Sequence, residues 1–221
     1  MTTQESEAMK GIVSAVHPIL KEQSYRKRGN AFNRQVEPGL VHVIHFQMGA
    51  FQPPRVTEIP KLRPNLYGAF TVNLGVYLRE LREIGTKNQA AFINEFDCQI
   101  RMRIGGLIDP PADTWWRLDR PEESADQIRR LIEGPAGGWF ARFSTRDEIL
   151  LTLESLRPDD KATTMAPPRL IAMRLRLHRG EHELAERDFL DHLRARQHPP
   201  AHIEVLARLA RQHNFEMPHP P

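Results

Sequence analysis

The alternating run Phe70-Thr71-Val72-Asn73-Leu74-Gly75-Val76-Tyr77-Leu78 sets the centre of the fold. Phe70, Val72, Leu74, Val76 and Leu78 fall on one side of it, and Thr71, Asn73, Gly75 and Tyr77 on the other. Unbroken period two, in a run rich in β-branched and aromatic side chains, predicts a half-buried strand. Two neighbours repeat the construction. The run 40–48 is apolar on both faces, as an interior strand is, and 98–105 sets Cys98, Ile100, Met102 and Ile104 against Gln99, Arg101, Arg103 and Gly105. An antiparallel sheet is therefore expected at the centre, with 114–118 as a short aromatic fourth strand.

Upstream of these strands, Met9, Ile12, Val13, Val16, Ile19 and Leu20 recur at three- and four-residue spacing and predict an amphipathic helix over 5–23. Pro18 lies inside it and predicts a kink, or an end near His17 followed by a restart. The segments 25–28 and 31–36, separated by Gly29-Asn30 and followed by Glu37-Pro38-Gly39, read as a meander leading into 40–48. Four prolines in 49–64 mark a long connection.

Downstream, the pattern turns helical. Ser124 is the expected N-cap of a helix over 125–133 that Gly134-Pro135 stops, and Ser144 that of a helix over 145–156. The glycine-rich 134–138 lacks the Lys-Ser/Thr of a phosphate loop and reads as a turn. After a linker over 157–168, three helical segments occupy 169–214, and the proline-rich residues beyond read as a frayed tail. The expected organisation is an α+β sheet domain over 1–157 and a helical C-terminal extension with a disordered tail over 158–221.

Length and composition fit this plan: 221 residues, 40% hydrophobic and 27% charged, suffice for a large core. The apolar runs fall short of the ~20 residues that cross a bilayer, and the polar, acidic start is unlike a signal peptide, so no membrane association is expected. The one cysteine, Cys98, fits a reducing cytoplasm. A net charge of +3 is small and spread along the chain, its densest point being Arg26-Lys27-Arg28, so nucleic acid ranks last among partners.

In this order, the run 43–47, the Phe70-x-x-Asn73-x-Gly75 core, the 98–105 segment with Arg101 and Arg103, and Trp115-Trp116 resemble the bacterial family known as domain of unknown function 4304, over roughly residues 8–135. The resemblance implies an α+β cytoplasmic bacterial domain and no defined activity.

If the three strands share one sheet, parity groups His45, Gln47, Asn73, Tyr77, Arg101 and Arg103 on one polar face. Arginine forks suit carboxylate or phosphate, and the amides would fix its orientation. This is the candidate ligand-binding face. The plainer account makes it a solvated sheet face, or pairs its arginines with acidic residues of later helices.

No cofactor and no metal are expected. The ten histidines contain no His-Glu-x-x-His and no cysteine-histidine cluster; His42 and His45 face opposite ways, while His178 and His182 straddle Gly180 and His198 and His202 straddle Pro199-Pro200. Alternation sends Cys98 to the apolar face as an inert thiol. The two adjacent tryptophans should point one into the core and one outward, the outer one an interface anchor if exposed.

With no catalytic constellation in view, the expected function is a non-enzymatic protein-interaction domain of the kind that includes toxin-immunity proteins, an analogy at fold level. Its partner would be another protein. The alternative is an enzyme or binding domain for an anionic small molecule or nucleotide, with Arg101 and Arg103 on the anion and His45 as acid or base.

Overall fold

The structure, a computed structural model, describes residues 3–49, 66–82, 92–156, 164, 166–195 and 198–217. Most of the proline-rich connection and most of the linker after 156 therefore lie outside the described residues.

Helix α1 (Thr3–Glu22) forms on the predicted apolar stripe, with Met9, Ile12, Val13, Val16 and Leu20 all buried. It neither ends near His17 nor restarts, and continues through Pro18. Val16 and Leu20 pack on either side of that residue, and their burial holds the chain helical past the missing hydrogen bond.

The sheet contains β1 (Arg26–Arg28), β2 (Ala31–Glu37), β3 (Leu40–Met48), β4 (Ala69–Leu78), β5 (Ile100–Arg103) and β6 (Trp116–Arg117). Every pairing is antiparallel, in the order β1-β2-β3-β4-β5, with β6 also pairing with β4. Gly29 and Gly39 take φ of 59° and 84° at the hairpin tips, where L side chains are strained.

Strand β4 is the hub, and all of its residues are buried. The half-buried expectation is thus corrected: its polar side is roofed as well. Phe70, Val72, Leu74, Val76 and Leu78 join the main core with α1 and with α2 (Pro121–Glu133), α3 (Pro135–Ala141) and α4 (Arg146–Ser155). On the opposite side Val43, Tyr77 and Cys98 form a separate small cluster.

Cys98 therefore does not sit on the apolar core face. The ladder starts only at Ile100; Cys98 caps a 3-10 turn (Glu95–Asp97) that folds back over the sheet, which breaks the parity that alternation assumed. Of the tryptophans, Trp116 is buried in the core and Trp115 is partly exposed, as expected.

Three local expectations are also revised. Ser124 does not cap α2, which begins at Pro121; its buried hydroxyl donates to the Arg117 carbonyl at 2.8 Å. The glycine-rich 134–138 is not a plain turn but opens α3, started by Pro135 at the first helical position and held by buried Trp139 and Phe140. Thr145 rather than Ser144 caps α4, its Oγ1 accepting from the Glu148 amide at 3.1 Å.

Helices α5 (Pro168–His178), α6 (His182–Arg194) and α7 (Pro200–His213) follow, as predicted for the last third. Ile171, Ala172 and Leu175 of α5 join the main core, while its Met173 joins a second core of Ala185, Phe189, Leu206, Ala210 and Phe215. Residues 215–217 are not frayed. Asn214 closes α7 in the left-handed conformation, and Phe215 turns back onto Phe189 with ring centroids 5.4 Å apart.

Candidate functional site

The cross-strand register settles which side chains share a face. His45, Asn73 and Arg103 lie in one row across β3, β4 and β5; Gln47 stands opposite Thr71, Arg101 opposite Gly75, and Tyr77 opposite Val41. All six residues of the polar face are therefore on one side of the sheet.

That side is largely roofed. The Asn73 amide donates to Gln47 Oε1 at 2.7 Å, and Thr71 Oγ1 donates to the Thr114 carbonyl at 3.1 Å. Arg101 pairs with Glu95 at 3.3 Å, and Arg103 pairs with Asp113 while its guanidinium lies 5.0 Å from the centre of the Trp115 ring. The roof is thus built from 93–99 and 113–115. Its carboxylates balance both arginines.

His45 is the exception in this row. Its Nδ1 is buried with no hydrogen-bond partner, and burial lowers its pKa while Glu95 opposes the shift. Burial, with Glu95 and Asp97 nearby, raises the Cys98 thiol well above its usual range, so it stays protonated and donates weakly to the Asn94 carbonyl at 3.6 Å.

Tyr77, at the C-terminal end of β4, leads out of this roof into an open groove of about 640 Å³. The 93–99 segment forms one wall, with Phe96 and Cys98, and α5 and α7 form the other, with Ile171, Leu206 and Leu209. On α7, Val205, Arg208, Leu209 and Gln212 follow the i, i+3, i+4, i+7 spacing of a single stripe, and that stripe lines the groove.

Two large apolar side chains on its walls face water: Phe96 is 68% exposed and Val205 54%. Among the described lining residues, Arg82, Arg174 and Arg208 stand against the Asp97 carboxylate, so the rim is net cationic. A second hollow of about 570 Å³ adjoins through Tyr77, Arg82 and Ile93 and adds Arg26 and Arg79.

Of the predicted site residues, Tyr77 lines this groove. Phe96, Arg174, Val205 and Arg208 were missed by reading along the sequence. Helix α7 was legible as a helical segment, but its groove-facing stripe was not singled out, and the facing wall comes from a segment about 110 residues earlier in the chain.

Fold and site together define an α+β domain with a sheet buried on both sides at its central strand and an apolar, arginine-rimmed groove beside it. Residues 61–142 match the model of the family described as Domain of unknown function (DUF4304). The resemblance read from the sequence holds over that stretch, which runs from before β4 to just after α3 and starts well after residue 8. Comparison with curated proteins and with solved structures gives no match.

The Phe70-x-x-Asn73-x-Gly75 core has a physical meaning here. Phe70 packs between Phe46 and Trp116, Asn73 ties to Gln47, and Gly75 leaves room for Cys98: a Cβ there would lie 2.6 Å from its Sγ. Among the described residues, no helix is long and apolar enough to cross a membrane.

Proposed function

We propose that the protein is a non-enzymatic interaction domain that binds an acidic, amphipathic segment of another protein in the groove between the 93–99 segment and helices α5 and α7. The observation that carries this reading is the exposure of Phe96 and Val205, 68% and 54%, in a groove rimmed by Arg174 and Arg208. Large apolar side chains kept in water beside a concavity are suited to a partner's apolar anchors, and guanidinium groups to its carboxylates. The setting we infer is a reducing cytoplasm, which the single, buried Cys98 supports.

Selection from a displayed random-peptide library tests it. Enriched peptides should combine Leu, Phe or Met at helical spacing with Asp and Glu, and should lose affinity for a Phe96→Ser/Arg208→Glu variant. No enrichment, or equal binding by that variant, overturns the reading.

A second reading is favoured by His45, whose partnerless Nδ1 lies in the row with Asn73 and Arg103. It takes the polar face as a site for a small anion. Phosphates, nucleotides or carboxylates should then raise the melting temperature in an Arg101-dependent way, and an unmoved wild type discards it.

A further inference from the structure

Three histidines that look unrelated in the sequence meet where α6 gives way to α7. His192 lies in the last turn of α6, His198 precedes Pro199-Pro200, and His202 lies in the first turn of α7. Their ring centroids are 4.8, 4.9 and 5.6 Å apart, and one ring nitrogen from each lies within 4.8 Å of the other two. We infer that His192, His198 and His202 form a three-histidine site for a divalent first-row metal ion of the zinc class.

Three features of the geometry carry this. First, Nε2 of His192 and Nε2 of His202 are 3.3 Å apart. Two nitrogens each 2.0–2.1 Å from a tetrahedral ion are separated by about 3.3–3.4 Å, so this pair already spans one edge of the coordination polyhedron.

Second, His198 is prepared as a ligand. Its Nε2 is 3.0 Å from the His192 carbonyl oxygen, an acceptor, so Nε2 carries the proton and Nδ1 presents a lone pair. That Nδ1 is buried with no partner. A ring whose second nitrogen donates to a backbone carbonyl is the usual outer support of a metal-bound histidine.

Third, the donor set is chemically uniform. Three neutral imidazoles suit zinc and its borderline neighbours and are poor ligands for calcium or magnesium, which take oxygen. The three nitrogens lie within 4.8 Å of one another, against about 3.3–3.4 Å for a tetrahedral edge, so loading the site draws the three side chains together by on the order of 1 Å. Three protein ligands leave a fourth position for water or an anion. His202 also lines the groove, which gives that position a route to solvent. The inference rests on the histidine geometry and stands whether or not a peptide docks in the groove.

The test uses the full chain, stripped with chelator and titrated with Zn²⁺ alone and with Co²⁺ alone. Expected are one ion per chain, an intense tetrahedral-type Co²⁺ spectrum displaced by Zn²⁺, and a weakening of about tenfold or more in both His198→Gln and His202→Gln. His178→Gln, outside the cluster, should bind as the wild type does. Substoichiometric uptake, a pale octahedral Co²⁺ spectrum, or unchanged affinity in both cluster variants overturns the site and leaves a hydrogen-bonded histidine pair. Should a variant fail to fold, the wild-type stoichiometry and cobalt spectrum decide.

Discussion

His42 faces the core between polar contacts that fix its state. Arg34 Nη2 donates to its Nδ1 at 3.1 Å, so Nε2 carries the proton and donates to the Phe143 carbonyl at 2.9 Å. Burial pushes its pKa down to about 4; the Phe143 bond opposes the shift and Arg34 adds to it. The unfolded chain takes up this proton near pH 6.5 and the folded one only near pH 4, so stability is fully present above pH 6.5 and is lost as pH falls toward 4, by about 3 kcal/mol from this group. Urea midpoints measured from pH 7 to pH 4 should fall accordingly in the wild type and less steeply in His42→Gln; parallel slopes would contradict the assignment. At Gly75 a methyl group would meet Cys98 Sγ at 2.6 Å and its Cβ at 3.0 Å, so Gly75→Ala should cost about 1–3 kcal/mol in denaturant unfolding, and Cys98→Gly should relieve most of that loss. Strict alternation made the six polar-face residues legible in the sequence, because β3, β4 and β5 keep register where those residues lie. It misplaced Cys98, because a 3-10 turn ends just before it and no period extends across such a turn.

Among the elements, α5 and α6 are bound to α4 through a charge rather than through apolar contact alone. Arg176 of α5 reaches Asp188 on α6 at 2.8 Å, Glu181 before α6 at 3.0 Å, and Glu154 on α4, while Arg169 supports Asp188 at 2.9 Å. Asp188 is fully buried, so removing Arg176 leaves a carboxylate with half of its compensation. Arg176→Ala should therefore cost about 3–5 kcal/mol in denaturant unfolding. Arg187→Ala, whose exposed side chain is 3.6 Å from Glu154, should cost less than about 1 kcal/mol, and equal losses would refute the distinction. Elements with a sustained period, such as α1, β4 and α7, were legible, as was the apolar run of β3. Helix α3 was not, since Pro135, Gly137 and Gly138 read locally as a turn and only the burial of Trp139 and Phe140 makes them helical. The histidine cluster escaped for a related reason: His192 joins His198 and His202 only once α6 and α7 have packed.

For the whole molecule, helix α5 is the shared part. One of its faces completes the main core and its Met173 enters the second, so α5 carries α6 and α7 against the sheet and forms the groove wall opposite Phe96. The sequence announced a sheet with helices before and after it. It could not announce the groove, whose two walls come from distant segments and whose polar neighbour on β4 is roofed by 93–99 and 113–115. That roof is why the open concavity lies beside the predicted face rather than on it. The most direct test of the docking reading is the dissociation constant of the best acidic, amphipathic peptide for the wild type and for Phe96→Ser/Arg208→Glu, side by side at physiological salt. At least about a tenfold loss is expected in the variant, the effect of ~1.4 kcal/mol. An unchanged constant, with the variant folded as the wild type, would contradict it.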